Sequence, residues 1–564
     1  MNQQQFRILY REFLFRIIDL EILAPQGDMS RLLGQFIALL IFVSMWLCVV
    51  AGTMSAGRKD PVAGLLIAWA AGHFLVATTM LAVGLFAVMS WDSTFPDRRD
   101  VQVLFPMPIR ARTLLVAKIA AVATALSITV LALNVFTGII APVASASAIG
   151  LLSLARSFAA YWIATFAAGV FIFCLVLTVQ GLAQLLPRQK FLRISSYLQM
   201  AFFVVLLTAY FLQPPFSNVA DLLRNRRILY WVPSYWYFGL FQQLAGPTLP
   251  GAGLLARRAS IGLAITVCGA AASYLVCYWR TLRRIAEQPD ILPDRSGLRW
   301  LPRFGNSFQT AVGQFSIRTL LRSRQHRVIL AFYLGIALGL AMFLSTGPAL
   351  QELALRHGGW YRVNTSLMVA SQILLCFAVL GIRVVFSMPL EIRANWIFQV
   401  TSHARADACV AASRRSLYIL ALLPVWTTAT ALFFWLWPTR IAAQHLALMG
   451  ALGTAIAELS LFAFHKIPFT CSYLPGKLRL NMAIVYLALF LLSITWGAEL
   501  EMRALSKPAL YTGVLIGLTA AAAVARRRTS AHARSEEAVL RFDEAPEPSI
   551  YALDLHRDGV TPLP

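Results

Sequence analysis

Tyr161-Trp-Ile-Ala-Thr-Phe-Ala-Ala-Gly-Val-Phe-Ile-Phe-Cys-Leu-Val-Leu-Thr-Val179 contains no charged residue. A helical run of about 20 apolar residues spans the hydrocarbon core of a bilayer. Inside lipid the backbone has no water to bond, so the run predicts a helix, which pairs its amides internally. Similar stretches recur along the chain. The expected spans are 32–53, 63–89, 116–141, 157–183, 196–213, 260–279, 328–346, 365–388, 416–437, 442–464, 481–498 and 508–525. The alternating pattern of a membrane β-barrel is absent. The expected fold class is all-α: a polytopic membrane protein of about 12 transmembrane helices in two six-helix halves.

Composition agrees. Charged residues are 13% of the chain and hydrophobic residues 59%, whereas soluble domains carry roughly 25% charge. The net charge of +24 would suit nucleic acid, but its placement argues otherwise. With the N-terminus inside, most Lys and Arg fall on the inner side, so the positive-inside rule puts both termini in the cytoplasm. The expected location is the plasma (inner) membrane, with lipid as partner and no nucleic acid. The segment 214–259, with Arg224, Arg226, Arg227, Arg257 and Arg258, is the main departure, and long external segments follow the rule weakly.

Residues 1–31 are too charged for the apolar core of a cleavable signal. Phe6, Leu9, Phe13, Ile17 and Leu20 recur at helical spacing, which predicts an amphipathic helix lying in the interface. The first membrane half covers 32–280. A polar, Arg-rich linker at 281–327, broken by Pro293 and Pro302, is expected in the cytoplasm and ends in a second interfacial helix near Phe315–His326. The second half covers 328–525. The tail, 526–564, opens with Arg526, Arg527 and Arg528, turns acidic, and is expected to be disordered and cytoplasmic.

The loops repeat as well. Inner loop 2–3 holds Asp97, Arg98, Arg99, Asp100, Leu104 and Phe105, and inner loop 8–9 holds Glu391, Arg393, Trp396 and Phe398. Each combines charge with an apolar stretch long enough for a short helix. The outer sides differ. Trp231-Val-Pro-Ser-Tyr-Trp-Tyr-Phe-Gly-Leu-Phe-Gln-Gln-Leu-Ala-Gly246 has only a short loop near 499–507 as its counterpart. Its rings suit either an interfacial anchor or an outer cap or gate, with Trp231, Pro233, Trp236, Gly239 and Gly246 as the residues of interest.

Motifs for chemistry are missing. There is no G-x-x-x-x-G-K-[ST], no H-E-x-x-H and no C-x-x-C. The seven cysteines read as packing residues. No catalytic residue, metal or cofactor is expected, and no triad is legible from spacing. Ionisable residues inside spans are rare and costly. Glu458 in span 10 is the only acid well inside a span, as a structural ion pair or a substrate or proton site, and His73 lies in span 2. Arg383 is expected to snorkel to the headgroups. Gly335 and Gly339, and Gly513 and Gly517, have the spacing of close helix packing.

These features together resemble the permease subunits of type-2 ABC exporters. The elbow helix would be 6–23, the coupling helix 91–112 and the outer cap 231–246. Asp97-Arg98-Arg99 with Leu104, Pro106, Pro108 and Lys118 resembles the D-R…L…P-x-P…K pattern of that family. Pro233 to Gly246 resembles its P-x-x-W-x-x-G-L…G segment. The resemblance implies a separate cytoplasmic ATPase subunit docking on the coupling loops, and export of a substrate. It leaves open whether the chain also forms a homodimer. The short loop between spans 11 and 12 departs from the family pattern. A major-facilitator-type secondary transporter and a non-transporting membrane scaffold are the alternatives.

Overall fold

The computed structural model describes residues 3–18, 29–55, 61–95, 107, 109–145, 150–212, 231–246, 251–287, 303, 306–346, 363–390, 406–462, 464, 467–470, 493–494 and 496–534. Among these the regular structure is helical, with no strand. Among the described residues nine helices are long and apolar enough to cross a membrane.

The first half contains α1 (Gln3–Ile18), α2 (Met29–Ser55), α3 (Pro61–Met89), a short α4 (Trp91–Thr94), α5 (Ala111–Leu133), α6 (Thr137–Ser145), α7 (Leu151–Gln184), α8 (Arg188–Leu212), α9 (Pro233–Ala245) and α10 (Ala252–Glu287). The second half contains α11 (Ser307–Arg322), α12 (Arg324–Thr346) and α13 (Thr365–Phe386). Next comes α14, which runs Ala406–Leu417, through a π-helical turn at Tyr418–Leu422, into Leu423–Leu436. The chain continues with α15 (Thr439–Ser460), α16 (496–506) and α17 (Pro508–Arg534).

Most expected spans coincide with these helices. Span 1 lies on α2, the 27-residue helix Met29–Ser55. Span 10 lies on α15, which interrupts its apolar run with Gln444, His445 and Glu458 and is not among the nine. Most of span 11 lies outside the described residues. Span 3 was expected to run to 141, but the helix stops at Leu133. Asn134 ends it: its amide Nδ2 donates to Val130 O, and its Oδ1 accepts from the Tyr161 hydroxyl. The Phe136 amide then donates to Ser44 Oγ, and the chain turns into α6.

Two boundaries also move. Residues 526–534 of the expected tail continue α17, where Thr529 and Ala533 are buried. The stretch near 499–507 is no bare loop: 496–506 is helical, with Ala498, Glu501 and Ala504 buried.

The packing order recurs in the two halves. The amphipathic α1 packs on α5, and α11 packs on α14. Likewise α3 packs on α7 and α13 on α15, while α7 packs on α10 and α15 on α17. The buried face of α1 is Leu9, Phe13 and Ile17, three of the residues picked out by their spacing. Leu20 lies outside the described residues.

The halves meet along α8 and α12. Gly335 lets α12 approach until a Cβ there would stand 2.9 Å from Leu207, and Gly339 faces Phe211 in the same way. Phe203 meets Phe332 edge-on at 5.8 Å. The contacts advance together along both helices, so α8 and α12 run parallel. Helix α8 runs antiparallel to α3, because Trp91 reaches Ser195 while Thr78 reaches Tyr210, and α12 runs antiparallel to α13, because His326 reaches Met388 while Tyr333 faces Gly381. Hence α9 and α16 occupy one end of the bundle, and α4 the other.

Candidate functional site

Asp97, Arg98, Arg99, Asp100, Leu104 and Phe105 lie outside the described residues, as do Glu391, Arg393, Trp396 and Phe398. What is described is the backbone from which each loop springs. At the end of α3 the helix runs out of amides to bond its last carbonyls, as every helix C-terminus does. Side chains from other helices supply donors. Gln199 Nε2 on α8 donates to Val88 O at 2.8 Å. Gln180 on α7 donates to Trp91 O. Tyr274 on α10 donates to Thr94 O at 3.4 Å, and Lys118 Nζ on α5 donates to Phe95 O at 2.8 Å. Trp91 is itself buried, with its indole N–H on Ser195 Oγ at 2.9 Å.

This collar reaches further. Lys118 is buried, and its ammonium lies 5.3 Å from the Phe13 ring centroid of α1. Gln199 offers its amide to α3 and its carbonyl to Arg324 of α12, whose Nη2 is 2.9 Å away. One glutamine therefore joins the root of the first loop to the second half.

The second loop has its own root. The Phe469 amide donates to Phe386 O at 2.9 Å, and the Leu390 amide donates to Phe469 O at 3.0 Å. Phe469 adopts φ 67°, a left-handed conformation that is costly for a bulky residue and is held by its surroundings. His326 Nε2 lies 3.2 Å from Met388 O. A carbonyl can only accept, so this nitrogen carries the proton. Arg383 does not snorkel outward. It lies 4.2 Å from the Phe464 ring centroid and donates to Ser460 O at 2.8 Å.

At the opposite end, Pro233 starts α9, where its missing amide costs nothing. Trp231 is exposed, but the rest of the aromatic run turns inward: Tyr235, Tyr237, Phe238 and Phe241 are buried. The helix thus packs into the bundle through these rings. Burial pushes the Tyr235 and Tyr237 hydroxyls up from their ordinary range, which keeps them neutral. Trp236 sits 6.2 Å from Phe171, ring to ring. Gly239 allows α9 to press against Leu255, and Gly246, at φ 149°, ends the helix in a conformation that suits glycine. His73 packs on this helix: its Nε2 is 2.8 Å from Ser234 Oγ, and its ring stacks on Tyr235 at 3.7 Å.

In the second half α16 is held by a corresponding contact that spacing did not reveal. Gln372 Nε2 on α13 donates to Glu501 Oε2 at 2.7 Å. His445 Nδ1 on α15 lies 2.6 Å from Glu501 Oε1, and His445 Nε2 lies 3.1 Å from Ser371 Oγ. The remaining intramembrane acid, Glu458, accepts from Tyr418 at 2.7 Å and pairs with Arg414. Among the described residues no group of His, Cys, Asp and Glu could hold a metal ion.

No protein-family model, no curated protein and no solved structure matches this chain.

Proposed function

We propose that the chain is the permease subunit of an ABC-type exporter with twelve spans and both termini in the cytoplasm. Separate ATPase subunits would drive it in the plasma membrane. The observation that supports this most is the collar around Val88–Phe95. Side chains from α5, α7, α8 and α10 grip the backbone where the first loop begins, so a push on that loop is delivered to the whole half. Rigid-body motion of packed helices is an established way to switch between two states. In this reading Asp97, Arg98, Arg99, Asp100, Glu391 and Arg393 orient docking of the ATPase. Leu104, Phe105, Trp396 and Phe398 supply buried contact. The α9 and α16 end faces outward and caps the path. The apolar spans suit a lipid-like or otherwise hydrophobic cargo.

The test is to purify the tagged chain from native membranes in mild detergent and identify its companions by mass spectrometry. A stoichiometric ATPase subunit is expected. Its absence from an intact, monodisperse preparation overturns the reading in favour of a secondary transporter or a scaffold.

A further inference from the structure

We propose that Ser371, His445 and Glu501 form an acyl-transfer triad whose nucleophile is Ser371, acting on a carboxylic ester with an apolar acyl chain. The three residues come from α13, α15 and α16, and they stand in the order that the chemistry needs. Ser371 Oγ is 3.1 Å from His445 Nε2, and His445 Nδ1 is 2.6 Å from Glu501 Oε1. These are the nucleophile-to-base and base-to-acid contacts of a serine triad, which is recognised by geometry and not by chain position.

The support around the triad fits the same role. Glu501 is held by Gln372 through its other oxygen at 2.7 Å. The His445 ring is fixed by Phe433, with centroids 4.5 Å apart, and by Trp437 at 5.4 Å. His445 and Glu501 are buried, whereas Ser371 is half-buried and so reachable. Leu367, Ala370 and Leu374 share its half-buried helix face, which gives an acyl chain an apolar surface beside the nucleophile. Trp437 Nε1 is buried with no hydrogen-bond partner among the described residues. Its ring lies beside His445, so this buried N–H is a donor close to the base. The Ser371 hydroxyl has a second acceptor, Met368 O at 2.8 Å, and its proton turns from there to His445 for reaction.

The step balances. Ser371 Oγ bonds to the ester carbonyl carbon while its proton passes to His445 Nε2, and Glu501 stabilises the imidazolium. Collapse expels the alcohol, which takes that proton. Water, deprotonated by His445, then attacks the acyl carbon, and His445 returns that proton to Ser371 Oγ as the acyl-serine ester breaks. The net change is ester plus water to acid plus alcohol. Nothing here depends on the transport reading, because the triad needs neither an ATPase nor a moving helix.

The test uses the purified full chain and an alkyl fluorophosphonate, with the adduct located by mass spectrometry. The expected result is an adduct on Ser371, absent in Ser371→Ala. In His445→Gln the rate of adduct formation should fall about 10²–10⁴-fold, the usual contribution of a positioned base. Glu501→Gln should slow labelling while leaving the protein monodisperse, which separates orientation of the base from folding. A monodisperse parent protein without an adduct on Ser371, or equal labelling rates in the parent and His445→Gln, overturns the proposal.

Discussion

Arg414 Nε lies 2.7 Å from Glu458 Oε1 with both side chains buried, so the intramembrane acid is one half of an ion pair. Tyr418 donates to the same carboxylate at 2.7 Å. The pair ties α14 to α15, and Arg414 Nη2 also reaches Ser530 on α17 at 3.5 Å. Burying two charges is costly, and removing one partner leaves the other uncompensated, typically at about 3–5 kcal/mol. Glu458→Leu should therefore lower the melting temperature sharply. The double substitution Arg414→Met with Glu458→Leu should recover most of it, because an apolar pair of similar volume is often as stable. Thermal denaturation in detergent checks both. A double variant no better than the single one would mean that the carboxylate has a task beyond pairing with Arg414.

Lys118 fastens the root of the first loop. Lys118→Met keeps the apolar stem against Phe13 and deletes the donor to Phe95 O. A hydrogen bond from a charged group is worth about 1.5–3 kcal/mol. Limited trypsin digestion should accordingly cut faster after Arg98 and Arg99 in this variant, with the rest of the map unchanged. An unaltered cleavage rate there would show that Lys118 does not restrain the loop.

The two glycine pairs should part company. Gly339→Leu drives a side chain into Phe211 at the seam between the halves and should cost about 1–3 kcal/mol, as overpacking does. Nothing lies within 4 Å of a Cβ placed on Gly517, so Gly517→Leu should stay within about 0.5 kcal/mol of the parent. Melting temperatures of the two variants decide it. Equal losses would mean that α17 has a partner in solution.

On the proposed permease reading, alanine at Asp97, Arg98 or Glu391 should weaken association with a co-purifying ATPase subunit without lowering the melting temperature. Co-purification yield measures the first and thermal denaturation the second. Unchanged association in all three would rule out docking through these loops.

The helices were legible in the sequence because membrane burial writes itself as long uncharged runs, and α1 because Leu9, Phe13 and Ile17 carry a helical period. The tethers were not. Trp91 and Ser195, Gln199 and Arg324, and Gln372 and Glu501 each lie more than a hundred positions apart, and no local pattern announces such a partner. Gln180 and Gln199 gave the one available hint, as amides inside apolar runs, where burial demands a hydrogen bond. Glu501 was overlooked for a different reason. A short polar stretch between two apolar runs reads as a loop, and only the packing of Ala498 and Ala504 turns it into a helix with its acid inside. The end of span 3 was missed because Asn134 looked like one polar residue in an apolar field, although it gathers Val130, Thr79 and Tyr161 around itself.

The π-helical turn at Tyr418–Leu422 sets the rotational phase of α14. Each residue advances an α-helix by about 100°, so one extra residue in a turn swings everything beyond it around the axis. Before the turn Arg414 meets Glu458, and beyond it Val425, Ala429 and Phe433 are buried, so the offset sets the angle between these two faces. Trimming one residue from the turn would leave the composition, length and apolarity of α14 almost untouched. It would nevertheless point either Arg414 or the apolar stripe the wrong way, a defect of angle rather than of chemistry.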